Sequence, residues 1–178
     1  PRFRPLRRPG CGNVPAVALA RRRSGFIIPP GLPGVMYGTI LFATDGSDDA
    51  EAALDHALEL AESAGATLHA VSVVETRTAY DNAIIDPEEV RANLRADAEA
   101  AVERAAEAAA EAGVECRTTV LEGPPYERVL EAIDDVGADA VVVGATGRSG
   151  FKRLVLGSTA ERLLEAAPVP VVVIGGDH

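Results

Sequence analysis

The sequence predicts an α/β fold, a doubly wound five-stranded parallel sheet, and three observations carry that reading. From Met36 onward, short apolar runs alternate with segments of helical period until the chain ends. Glycines or prolines punctuate the changes of period, and a glycine-rich stretch follows the fourth apolar run. Five parallel strands joined by four right-handed crossovers then call for helices on both faces of the sheet. With 178 residues, 47% of them apolar and 25% charged, the chain can bury one substantial core and is short for two.

Thr39 to Ala43 (TILFA) forms the first strand. The turn Thr44-Asp45-Gly46-Ser47 leads to a helix whose small or apolar positions Ala50, Ala53, Leu54, Ala57, Leu58 and Ala61 follow the i, i+3, i+4 spacing. Ser47 or Asp48 caps its start, Asp49 and Glu51 suit the positive end of its dipole, and Gly65 ends it in the left-handed region. Strand two runs from Thr67 to Val74. Glu75 to Asp86 is polar and irregular. Pro87 then opens a long Ala/Glu/Arg-rich helix that reaches Ala112 and is stopped by Gly113. Val114 to Leu121 is strand three, and Pro124-Pro125 opens a third helix with Val129, Leu130 and Ile133 facing inward. Ala138 to Val143 is strand four, Ser158 to Ala167 the last helix, and Val169 to Ile174 strand five. Pro170 inside that last run removes a backbone donor, which puts the strand at a sheet edge or an interface.

The first 35 residues differ from the rest. Pro1 to Val35 holds seven prolines, five glycines and seven arginines, no acidic residue and no sustained period, so it is predicted to be disordered. One reading makes it a basic arm or targeting segment. The other starts the natural chain at Met36, the only methionine, and treats the upstream residues as a non-native extension. Residues 36 to 178 form the folded domain in either case. That part carries 10 basic against 27 acidic side chains, a net charge of −17, with Lys152 as its single lysine. So acidic a surface suits a halophilic host and opposes nonspecific nucleic-acid binding. The uncharged stretch from Ser24 to Phe42 is broken by five Pro and Gly residues between Pro29 and Gly34, which excludes a membrane span. Cys11 and Cys116 form neither a disulfide framework nor a zinc motif, and the composition suits a reducing cytoplasm.

In a doubly wound sheet a ligand sits at the carboxyl ends of the strands, where the strand order reverses. The segments after strands one and four are therefore the candidates. The second reads GATGRSGFKRLVLGST, with Gly144, Gly147 and Gly157-Ser158 spaced as G-x-x-G-x9-G-S. Glycines there let backbone amides approach phosphate oxygens, and Gly157-Ser158-Thr159 opens a helix whose free N–H groups and dipole favour an anion. The same glycines also suit tight turns without any ligand. The loop is neither G-x-x-x-x-G-K-[ST] nor G-x-G-x-x-G, which disfavours a motor ATPase and an NAD enzyme.

The Gly144 to Thr159 pattern, the opening MYGTILFATDGSDDAEAALDHALELA and the closing APVPVVVI together resemble the universal stress protein family in its ATP-binding branch, from Met36 to about Ile174. The resemblance implies a Rossmann-like, adenine nucleotide alpha hydrolase-like sheet of order 3-2-1-4-5, with ATP at the strand ends and a homodimer formed through strand five. By position, Asp45 would lie beside the ribose and phosphates and help hold Mg or Mn. Val73 would contact adenine, with Ala43 and Thr44 lining the same pocket, and Val143 and Gly144 would support the ribose side. Gly147, Gly157, Ser158 and Thr159 would hold the phosphates, with Arg148 and Lys152 as further cations or as solvated loop residues. Thr146 and Ala160 depart from the commonest pattern of the family, without removing a backbone donor.

No catalytic residue is assigned: His56, His69 and His178 fall away from the strand ends, and no Ser/His/Asp or Cys/His arrangement is evident. The expected function is a nucleotide-dependent regulatory dimer of the stress response with little or no turnover. A ligand-free scaffold dimer of the same fold stands beside it, and a slow ATPase or phosphotransferase using Asp45 is a third reading. The apolar strand Val169 to Ile174 at a sheet edge supports the homodimer on physical grounds, because an uncovered apolar edge invites pairing.

Overall fold

The computed structural model describes residues 37–75, 87–147 and 156–175. Within them the chain runs β1 (Thr39–Ala43), α1 (Asp48–Ala64), β2 (Thr67–Val74), α2 (Pro87–Ala112), β3 (Cys116–Glu122), α3 (Pro125–Val136), β4 (Ala140–Gly144), α4 (Ser158–Ala166) and β5 (Val171–Ile174). All strand pairings are parallel, and the order across the sheet is β3-β2-β1-β4-β5. The doubly wound order expected from the resemblance is therefore the order observed. The readings placed on Pro1 to Val35, Met36, Arg148, Lys152 and His178 lie outside the described residues.

Alternation along the strands divides the core in two. Ile40 and Phe42 of β1 join Leu68 and Ala70 of β2 against α1 and α2. Leu41 and Ala43 join Val71, Val141 and Val143 against Val129 and Ile133 of α3 and Leu163 of α4. A strand buried on both faces has no polar side to show, which is why β1 and β4 read as continuous apolar runs. The two faces differ in grain. Seven of the fourteen buried residues on the α1/α2 face are alanines, so those helices lie on the sheet through small side chains.

The helix ends follow their predicted signals. Ser47 Oγ accepts from Ala50 N at the start of α1, and Gly65 ends the helix with φ 67°. The residue after each terminal glycine corrects the predicted strand starts. Val114 N donates to Ala109 O and Ala138 N to Ile133 O, as Ala66 N does to Ala61 O. These apolar residues close the helix behind them and pack on its last turns, so β3 begins at Cys116 rather than Val114 and β4 at Ala140 rather than Ala138. Each of those strands runs one residue further than predicted, to Glu122 and Gly144. Helix α4 stops at Ala166, with Ala167 as its cap. Strand β5 begins at Val171 rather than Val169, so Pro170 precedes the strand instead of lying inside it. The Pro170 carbonyl accepts from Val141 N at 2.9 Å, and β5 is an edge strand as the proline predicted.

From β1 the chain builds outward to β2 and β3, then returns across β1 to place β4 and β5 on its other side. The carboxyl ends of β1 and β4 therefore splay into connections that lead away from each other, and a crevice opens between them. No helix among the described residues is long and apolar enough to cross a membrane.

Candidate functional site

That crevice is a cleft of about 560 Å³. Its floor is made by Ala43 and Thr44 at the end of β1, Val73 on β2, and Val143 and Gly144 on β4. Asp45 comes from the turn before α1, Gly147 from the segment after β4, and Gly157, Ser158 and Thr159 from the start of α4. Each predicted site residue within the described residues lines this one cleft. Arg148 and Lys152 lie outside them.

The turn after β1 aims Asp45. Gly46 adopts φ 74°, its N–H donates to Thr44 Oγ1 at 3.1 Å, and Ser47 N donates to Asp45 Oδ1 at 3.0 Å. An aspartate that accepts a backbone bond two residues ahead is held in one rotamer. Its other oxygen, Oδ2, lies against Gly147. Opposite, α4 begins at Gly157 in extended conformation with no side-chain cap, unlike α1 with its Ser47. The first-turn residues Ser158, Thr159 and Ala160 line the cleft there. A helix start of this kind offers backbone donors and the positive end of a dipole.

The glycines do something the sequence did not announce. A Cβ on Gly144 would lie 2.9 Å from the Asp49 carbonyl carbon and from Ala50 N, and one on Gly147 would lie 2.7 Å from Asp45 Oδ2. On Gly157 it would be 3.2 Å from Ala145 O, which accepts the Gly157 N–H at 2.7 Å. The space each glycine leaves is filled by protein. Their first task is to bring the β1–α1 turn, the segment after β4 and the start of α4 into contact.

Sequence reasoning missed several contributors. Leu94 and Ala98 of α2 and Pro125 and Val129 of α3 complete an apolar half of the cleft around Val73. Helix α2 is so rich in alanine and glutamate that Leu94 did not stand out. Asp49, predicted as a dipole-facing residue, is buried, and its Oδ2 accepts from Thr146 N at 3.0 Å and from Thr146 Oγ1. A helix-start acid followed by one more acid gives no hint of which turns inward. His56 is exposed on α1, and His69 on β2 has Nε2 2.8 Å from Thr119 Oγ1; neither lines the cleft. Among the described residues no group of three His, Cys, Asp or Glu side chains is placed to hold a metal ion.

Comparison with known proteins adds the lineage. Residues 36–175 match the universal stress protein family. The chain belongs to the universal stress protein family. Among its relatives, the universal stress protein MJ0531 of Methanocaldococcus jannaschii is 33% identical over 140 residues, 78% of this chain and 82% of that protein. The structure of the hypothetical protein MJ0577 matches with a TM-score of 0.73 at 25% identity, over 81% of this chain and 99% of the other. A universal stress protein solved in complex with cAMP matches with a TM-score of 0.61 at 26% identity, over 78% of this chain and 97% of the other. The sheet of this universal stress protein is thus shared by proteins that span nearly their whole length with it.

Proposed function

We propose that this universal stress protein binds ATP in the strand-end cleft and acts as a regulatory dimer of the stress response with little or no turnover, in the cytoplasm. The observation that carries the reading is the division of the cleft. One half is apolar, with Val73, Leu94, Ala98 and Val129, and suits an adenine ring. The other half holds Asp45 and the uncapped start of α4 and suits phosphates. The related protein solved with cAMP supports an adenine nucleotide as the ligand class.

The charge of the cleft bears on the cofactor. Among the described residues its charged side chains are Asp45 and Glu75, both acidic, so a polyphosphate needs a cation between itself and the wall. Mg or Mn fits this role: such an ion keeps several waters and takes one or two carboxylates together with phosphate oxygens. Asp45 would be the protein ligand, and the ion would supply charge neutralisation of the phosphates. The start of α4 would orient the chain of phosphates, and the apolar half would set the base. The homodimer is proposed through β5, whose outer edge pairs with no strand among the described residues and which carries Val172 exposed at 36%.

A second reading has its own support. Because the space at Gly144, Gly147 and Gly157 is filled by protein, those glycines are explained by packing alone, as a ligand-free scaffold dimer requires. The deciding experiment denatures the freshly purified chain, prepared in high salt, and identifies released nucleotide by mass and stoichiometry. Near-equimolar ATP is the expected result. No nucleotide, and no rise in melting temperature with ATP and magnesium, would leave the scaffold.

A further inference from the structure

Asp48 and Asp49 stand side by side at the start of α1, and the fold uses them differently. Asp48 is exposed, whereas Asp49 is 3% exposed. A carboxylate is buried at little cost only when donors meet it, and here Thr146 supplies two, while the positive end of the α1 dipole favours the charge. Thr146 gives its N–H and its hydroxyl to Asp49 Oδ2, and its carbonyl accepts from Ser47 Oγ at 3.4 Å. Every polar group of Thr146 is therefore turned toward the first turn of α1.

Thr146 sits at a junction. The residue before it, Ala145, donates its N–H to Ile174 O and accepts from Gly157 N, both at 2.7 Å. The residue after it, Gly147, abuts the Asp45 carboxylate. The start of α4 thus hangs on a segment that Asp49 holds, and Asp45 closes the same segment from the other side. Asp49 itself does not line the cleft.

We infer that Asp49 is the positioning residue of the phosphate half: through Thr146 it sets the spacing between Asp45 and the first turn of α4. For its ligand the inference rests on the nucleotide reading. A phosphate chain must reach both walls, whereas adenosine rests in the apolar half, so loss of Asp49 weakens ATP and spares adenosine.

The test uses the full chain with Asp49→Ala, Asp49→Asn, Thr146→Val and the Asp49→Ala/Thr146→Val double variant. Calorimetric titration with MgATP and with adenosine is paired with amide hydrogen exchange in nucleotide-free protein. Asp49→Ala is expected to raise the ATP dissociation constant about tenfold and leave adenosine within about twofold. Asp49→Asn, which keeps an oxygen for the Thr146 N–H, recovers part of the loss, and the double variant is no worse than Asp49→Ala because the two residues act as one unit. Exchange at Thr146 and Gly157 should quicken about tenfold while Ile40 to Phe42 stay protected. Equal losses for ATP and adenosine, or unchanged exchange at Thr146 and Gly157, would overturn the inference. Should the wild-type chain bind neither ligand, the nucleotide reading fails and the exchange comparison alone decides the positioning role. Should Asp49→Ala not fold, Asp49→Asn and Thr146→Val carry both measurements.

Discussion

Gly147 and Asp45 stand so close that a methyl group on the glycine would lie 2.7 Å from the aspartate Oδ2. The obstacle is the end of a side chain rather than backbone, so Gly147→Ala is met by turning the Asp45 carboxylate out of the rotamer that Ser47 N holds, at the cost of about one hydrogen bond, of order 1 kcal/mol. The displaced carboxylate no longer faces the phosphate half. We expect about a tenfold rise in the dissociation constant of MgATP, about 1.4 kcal/mol, with a melting temperature lowered by no more than about 4 °C. Unaltered binding in this variant would detach Asp45 from the ligand.

Gly144 makes the opposite case. Its neighbours are the Asp49 carbonyl carbon and Ala50 N, both at 2.9 Å and both backbone. Gly144→Ala therefore has to push β4 and α1 apart, an overpacking cost of about 1–3 kcal/mol. Urea titration followed by circular dichroism measures it, and a variant as stable as the wild type would mean that the helix start yields more easily than its packing suggests.

Asp45 and Glu75, the charged side chains of the cleft among the described residues, are both acidic, and on the proposed reading nucleotide affinity depends on a divalent ion. With EDTA in place of magnesium, ATP binding should weaken at least about tenfold while adenosine is unaffected. Asp45→Asn should reduce the difference between the two conditions. ATP affinity that is the same with and without the metal would remove Asp45 from ion binding.

His69 gives stability a pH dependence of known sign. Burial, and after it the Arg117 charge, lower its pKa from the ordinary 6.5. Above about pH 6.5 the ring is neutral in both folded and unfolded chains, and the contribution is complete. As pH falls below that value the unfolded chain takes up the proton first, so stability declines until the lower folded pKa is passed. The urea midpoint should drop between pH 7 and pH 5.5, and drop less in His69→Gln. Parallel curves for the two proteins would show that other groups carry the effect.

The outer edge of β5, unpaired among the described residues, supplies a test of assembly. Val172 is exposed at 36%, and a charge there blunts an edge against pairing. Sedimentation in high salt should find a dimer for the wild type and a monomer for Val172→Lys. A wild-type monomer at micromolar concentration would end the dimer proposal.

The helix faces and the place of the crevice were legible because they rest on period and on turn residues, which are local, whereas the strand order and the individual floor residues came from the family resemblance. Ser47 and Gly65 signalled the ends of α1 correctly for the same reason. Of the three misread strand starts, those at Val114 and Ala138 failed because an apolar residue after a terminal glycine serves equally as a strand residue or as the plug of a helix end. The roles of Asp49 and Thr146 were hidden for a different reason: they are 97 residues apart, and only the return of the chain across β1 brings them together. The cleft residues Leu94 and Ala98 were likewise set by how α2 lies on the sheet, which its own composition does not dictate.

The alanines between the sheet and helices α1 and α2 make that side of the molecule tolerant in one direction only. Ala53, Ala57, Ala105 and Ala109 have a single methyl group each to lose by truncation, with the roughly 1 kcal/mol that glycine costs in a helix interior, and no side-chain rotamers to freeze on folding. Each methyl group added at these fully buried positions overpacks the face and forces helix or sheet to shift. Random substitution should therefore damage this face through enlargement, while the valine and leucine face under α3 and α4 suffers through shrinkage, so the same domain keeps two opposite records of what it cannot accept.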